Sequence, residues 1–120
     1  MVRTKTIDIP IYFGYFRIIV ADDFSDVHLG GATHLKDVKY YSAFVFTDYT
    51  PKDIQRFTIV VKPKTTHSII AHEVVHLVNS LFVGRGITLD AHNDEPQAYL
   101  TGWFTKEIYK FIKPENVSLY

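Results

Sequence analysis

The sequence predicts an α+β fold: an N-terminal antiparallel or mixed sheet of about four strands, packed against two C-terminal helices. Two observations carry this. Apolar side chains recur with a period near two through residues 1–63 and near 3.6 from residue 66 onward. Strands come first and helices second, whereas a parallel α/β sheet alternates them. At 120 residues, 47% hydrophobic and 15% aromatic, the chain can fill one core and hardly a second, so a single domain over 1–120 is expected.

From Arg3 to Phe13 the pattern alternates, with Ile7, Ile9 and Ile11 on one side and Thr6, Asp8 and Pro10 on the other, and Pro10 argues for an edge strand. Tyr15 to Val20 is β-branched and aromatic, and follows Gly14 as a turn or bulge. Ser25 to Lys39, with Gly30-Gly31, is undecided. Tyr40–Tyr49 and Gln55–Lys62 flank the turn residues Thr50, Pro51, Lys52 and Asp53 and read as a hairpin.

After Pro63, the residues Ile69, Ile70, Val74, Leu77, Val78, Leu81 and Phe82 cover most of a cylinder, which predicts a largely buried helix over 66–83 with Gly84 as its C-terminal cap. A loop then leads to a second helix over 94–112. Asn93 or Asp94 caps it, Pro96 lies in its first turn, and Leu100, Trp103, Phe104, Ile108, Phe111 and Ile112 form its apolar stripe.

Thirteen basic and thirteen acidic side chains balance over the whole chain. They also balance within each half, at eight against seven for residues 1–63 and five against six for 64–120, so phosphate binding lacks its positive excess and nucleic acid is not an expected partner. There is no cysteine, so a transition metal would need His, Asp and Glu ligands. MVRTKTIDIP has no apolar core of a secretory signal, and IIAHEVVHLVNSLFV is too short and too polar to span a bilayer. A soluble intracellular protein without a membrane partner is expected.

His72-Glu73-Val74-Val75-His76 is a complete HExxH motif inside the predicted helix. Helical spacing sets His72 and His76 one turn apart on one face, where both imidazoles can reach a single zinc ion, and sets Glu73 beside them, within reach of a water the metal would activate. A chance match in this composition is expected on the order of 1% of the time. In a helix otherwise apolar nearly all round, the three polar residues are expected to be buried, each costing on the order of 1 to 3 kcal/mol without a partner. A metal would satisfy two of them.

A catalytic zinc needs a third protein ligand and an open fourth position. Glu95, nineteen residues after His76 at the start of the second helix, is the best candidate. Ala98 and Gly102 would clear bulk from its helix face and let the two helices approach. His92 and Asp94 are the alternatives, with Asp90 behind them. Tyr99, one turn after Glu95, could hydrogen-bond a ligand or an oxyanion, and Asp94, Asp90 and Asn93 could hold the free imidazole nitrogens. His67 reads as a helix N-terminal residue, and His28 and His34 as surface residues of the undecided segment.

HEVVH followed at this distance by a glutamate on the next helix resembles the gluzincin branch of the zincin metallopeptidases. HEVVHLVNSLF, GRGITL and NDEPQAYLTGWFTKEIYK together resemble small phage-encoded proteins assigned as metallopeptidases. The resemblance covers residues 66–112. It implies a minimal zincin-like fold, zinc on His72, His76 and Glu95, Glu73 as general base, a peptide or protein substrate, and action in the cytoplasm, the host's if the chain is phage-encoded. It also implies an edge strand that binds extended peptide, for which Phe57–Val61 or Phe44–Thr47 are candidates. Two departures stand out. Gluzincins often carry an aspartate four residues after the glutamate ligand, where this chain has Tyr99, and their separate domain with a His or Tyr for the transition state has no room here. A zinc-binding interaction module without catalysis is the alternative function, although it would need no Glu73. Oligomeric state is left open.

Overall fold

A computed structural model describes residues 1–27 and 42–119; most of the undecided segment, including His28, Gly30, Gly31 and His34, lies outside the described residues. The fold is α+β, as the two periodicities require. Four strands, β1 (Val2–Asp8), β2 (Tyr15–Ala21), β3 (Ala43–Tyr49) and β4 (Gln55–Val61), form a mixed sheet in the order β1-β2-β4-β3. β1 pairs antiparallel with β2, β3 antiparallel with β4 as the expected hairpin, and the two central strands run parallel, Phe16 beside Phe57 and Ile18 beside Ile59.

Alternation sorts the side chains of β2 and β4. Phe16, Ile18, Val20, Phe57, Ile59 and Val61 join the main core with the helices, while Ile19, Ala21 and Val60 join Phe24, Val27 and Phe44 in a second apolar cluster. A sheet buried on both sides in this way explains why its central strands read as nearly continuous apolar runs.

β1 is an edge strand, but its predicted alternation fails at the end. The strand stops at Asp8; Ile9 is buried just beyond it, and Ile11 is 84% exposed at φ 67° in the loop to β2. The loop turns through Phe13 and Gly14, also at positive φ, and this reverses the chain before the pattern can continue.

Helix α1 (His67–Arg85) begins at Thr66, whose hydroxyl accepts from Ile69 N at 3.2 Å. Two short strands, β5 (Thr65–Thr66) and β6 (Val117–Ser118), pair beside that start. The helix runs past the expected boundary: Gly84 lies inside it, and Gly86, left-handed at φ 66°, is the cap. It is also less buried than expected. Ile70, Val74, Leu77, Val78, Leu81 and Phe82 form one buried stripe, whereas Val75 and Val83 face solvent.

Helix α2 (Glu95–Phe111) has Asp94 at its N-cap position without a side-chain cap bond and Pro96 in its first turn. Its stripe packs as predicted, with Leu100, Phe104, Ile108 and Ile112 buried and Phe16 edge-on to Phe104 at 4.8 Å. Among the described residues no helix is long and apolar enough to cross a membrane.

Candidate metal centre

α1 is held at both ends, which fixes the face it presents. At its start His67 Nδ1 lies 2.5 Å from Tyr109 Oη near the end of α2, so the two helices run antiparallel. At its end the Arg85 guanidinium donates to the carbonyls of Tyr12 and Phe13 and to Gln55 Oε1. Between these anchors His72 and His76 stand one turn apart, with Nε2 atoms 3.1 Å from each other.

That separation bears directly on metal binding. Two nitrogens bound to one tetrahedral zinc at its usual bond length lie roughly 3.3 Å apart. The two ring nitrogens are therefore spaced much as a zinc ligand pair would be, a spacing that also lets them share a hydrogen bond.

Their exposure overturns one expectation. The imidazoles are not buried in an apolar helix: His72 has 67% of its side chain in solvent, and His76 is exposed as well. The buried stripe lies on the far side of the helix. Glu73 alone is buried, at 7% exposure, with Oε1 3.9 Å from His72 Nε2. Burial pushes the Glu73 carboxyl above its ordinary pKa, and the two neighbouring imidazoles pull it partly back.

The remaining predicted residues gather less closely. Asp94, Glu95 and His92 are exposed around the start of α2, and Asp90 Oδ1 accepts from His92 N at 2.9 Å. Among the described residues, no group of three or more His, Asp and Glu side chains is arranged to hold a metal ion. The antiparallel register gives a reason. Nine residues separate His67 from His76 and fourteen separate Glu95 from Tyr109, rises of roughly 13 Å and 21 Å along the two helices. Glu95 thus starts about one and a half turns beyond the level of His76, and Tyr99 is nearer to it. Tyr99 is 47% exposed. Gly102 does not mark a close helix approach, because a Cβ there would meet nothing within 4 Å.

A groove runs beside the motif between α1 and β3. One hollow, about 330 Å³, is lined by Ala43, Phe44, Val45, Glu73, His76 and Ser80. A second of the same volume continues from His76 and Ser80 past Asn79, Thr47 and Gln55 to Val83 and Gly84. Of the two candidate peptide-binding strands, β4 is excluded: Phe57–Val61 pairs with β2 on one side and β3 on the other. Phe44–Thr47 lies on β3, the outermost strand on its side of the sheet among the described residues.

The candidate strand Phe44–Thr47 supplies Phe44, Val45 and Thr47 to the groove, but sequence reasoning missed Asn79, Ser80 and Gln55. Asn79 and Ser80 were within its reach, being three and four residues after His76 and so on its helix face. Gln55 comes from the second strand of the hairpin, and only the tertiary packing brings it there. No family model, curated protein or solved structure matches this chain.

Proposed function

We propose that this protein is a zinc-dependent peptidase, with His72, His76 and Glu95 as the metal ligands and Glu73 as general base. The observation that carries the reading is the convergence of two exposed imidazoles at 3.1 Å beside a carboxylate buried in the wall of a groove. Bound zinc would polarise a substrate carbonyl and make water acidic enough to react near neutral pH.

The other work falls to the chain's own residues. Glu73 accepts the proton of the attacking water and returns it to the leaving amine, and a pKa raised by burial suits a group that must do both. Ala43, Phe44 and Val45 on β3 form the wall along which an extended peptide lies. Glu95, on the first turn of α2, must reach back toward His76 to complete the ligand set. Tyr99, close to the level of His76 along α2, would donate a hydrogen bond to the developing oxyanion, and Asp94 and His92 would partner the free imidazole nitrogens.

The test is Glu73→Gln, assayed for zinc content and for cleavage of a broad peptide library. We expect zinc to be kept at wild-type stoichiometry and cleavage to fall by about 10²-fold or more. A zinc-loaded wild type that cuts no peptide would leave a metal-binding domain and remove the enzyme.

A further inference from the structure

The two hollows beside the motif differ in chemistry, and they meet at His76 and Ser80. The first has an apolar wall of Ala43 and Val45, which share the helix-side face of β3 with Phe44 between them on the strand, backed by Glu73. The second is lined by the hydroxyls of Thr47 and Ser80, the amides of Gln55 and Asn79, and Val83 and Gly84, with no Asp, Glu, Lys or Arg among its described lining residues. Gln55 Oε1 already accepts from Arg85 Nη1, so the donor end of its amide is what remains for a guest.

We propose that these hollows are consecutive side-chain subsites for one extended peptide: the first takes an aliphatic or aromatic residue, and the second, two positions along, takes an uncharged residue with a hydrogen-bonding side chain. The substrate class rests on the peptidase reading above.

Spacing supports the pairing of the sites. β3 lines the first hollow through Ala43 to Val45 and the second through Thr47. Same-face side chains of an extended chain repeat at roughly 6.8 Å, so a peptide lying along β3 puts residues two apart into successive hollows. Chemistry sets the preferences. A basic side chain in the second hollow would meet no carboxylate among the described lining residues, and an acidic one would have to take Arg85 from Gln55, while an amide or hydroxyl finds partners in Asn79, Gln55, Thr47 and Ser80. In the first hollow an acidic residue would meet Glu73.

The inference is tested with an array of capped random hexapeptides. Binding is read with zinc-loaded Glu73→Gln protein, and cleavage with the wild type. We expect bound peptides to pair Leu, Val or Phe with Asn, Gln, Ser or Thr two residues away, at least tenfold over peptides charged at the second position. Asn79→Leu should turn the second preference toward aliphatic residues by about tenfold and leave the first unchanged.

Gly84→Ala gives an independent variant on an exposed helical position. A Cβ at Gly84 would lie 2.5 Å from Gln55 Oε1, so the amide must move and the second preference alone should weaken. Enrichment of charged residues, no enrichment at all, or preferences unmoved by both variants would overturn the proposal. Patterned binding without cleavage would sustain the subsites and remove the peptidase, and cleavage without the pattern would do the reverse.

Discussion

Glu73 Oε1 lies 3.9 Å from His72 Nε2, yet one side chain is buried and the other stands mostly in solvent. Both are consequences of helical geometry. A step of one residue turns the chain by 100°, which carries Glu73 from the solvent face of α1 to its flank against β3, while the step of four from His72 to His76 returns to the same exposed face. A five-residue motif thus sets two imidazoles at an open surface and a carboxylate in a wall.

This division predicts how metal binding responds to substitution. His72→Ala and His76→Ala each remove one of two converging nitrogens, and either should reduce zinc affinity at least 100-fold, read by metal analysis after dialysis against a weak chelator. Glu95→Ala should also lower affinity, by roughly 10- to 100-fold. Wild-type zinc content in Glu95→Ala would remove Glu95 from the ligand set and turn attention to His92, Asp94 and Tyr99.

The position of Glu73 has a pH signature in the metal-free protein. Its folded-state pKa is raised, chiefly by burial, so the folded protein holds this proton more tightly than the unfolded chain does. Stability must then fall as pH rises from the ordinary carboxylate value through the raised one, and recover on acidification across the same window. Denaturant unfolding in the presence of chelator should show this slope in the wild type. Glu73→Gln, which has no proton to lose, should flatten that part of the profile and be more stable than wild type at pH 7. Parallel profiles for the two proteins would contradict the assignment.

The HExxH spacing was legible because it is local: four residues of helix suffice to align two imidazoles. The wrong expectation, that these imidazoles are buried, came from reading the apolar residues of α1 as covering most of its circumference, when they bury one stripe and Val75 and Val83 face solvent. Apolar residues all round a helix do not say which flank a sheet will cover. The hairpin of β3 and β4 was legible for the same local reason. The parallel pairing of β2 with β4 was not, since it joins segments some forty residues apart, and with it went the contribution of Gln55 to the groove.

The end of α1 provides a direct check on where the helix stops. Gly86 is left-handed at φ 66°, with nothing within 4 Å of a Cβ, so Gly86→Ala adds backbone strain and no clash. It should cost about 1 kcal/mol in denaturant unfolding. Gly84→Ala sits in helical backbone and gains helix propensity of a similar size, offset by displacement of Gln55. If Gly84 were the cap instead, the larger loss would fall on Gly84→Ala.

Arg85 joins this helix end to the loop between β1 and β2 and to the start of β4, and removing it should separate global stability from the geometry of the site. Its guanidinium donates to Tyr12 O, Phe13 O and Gln55 Oε1 and lies 5.7 Å from the centre of the Phe57 ring. Arg85→Met keeps much of the aliphatic packing and loses every charged hydrogen bond, at a cost of roughly 2 to 4 kcal/mol. The carbonyls of the loop between β1 and β2 then lose their donor, so amide exchange in residues 9–14 should accelerate more than in the centre of β4. Zinc binding should survive, because His76 and His72 lie roughly two and a half and three and a half turns away, within a helix that the core stripe still holds. Loss of zinc together with an unchanged exchange rate in residues 9–14 would show that Arg85 acts on the site and not on the loop.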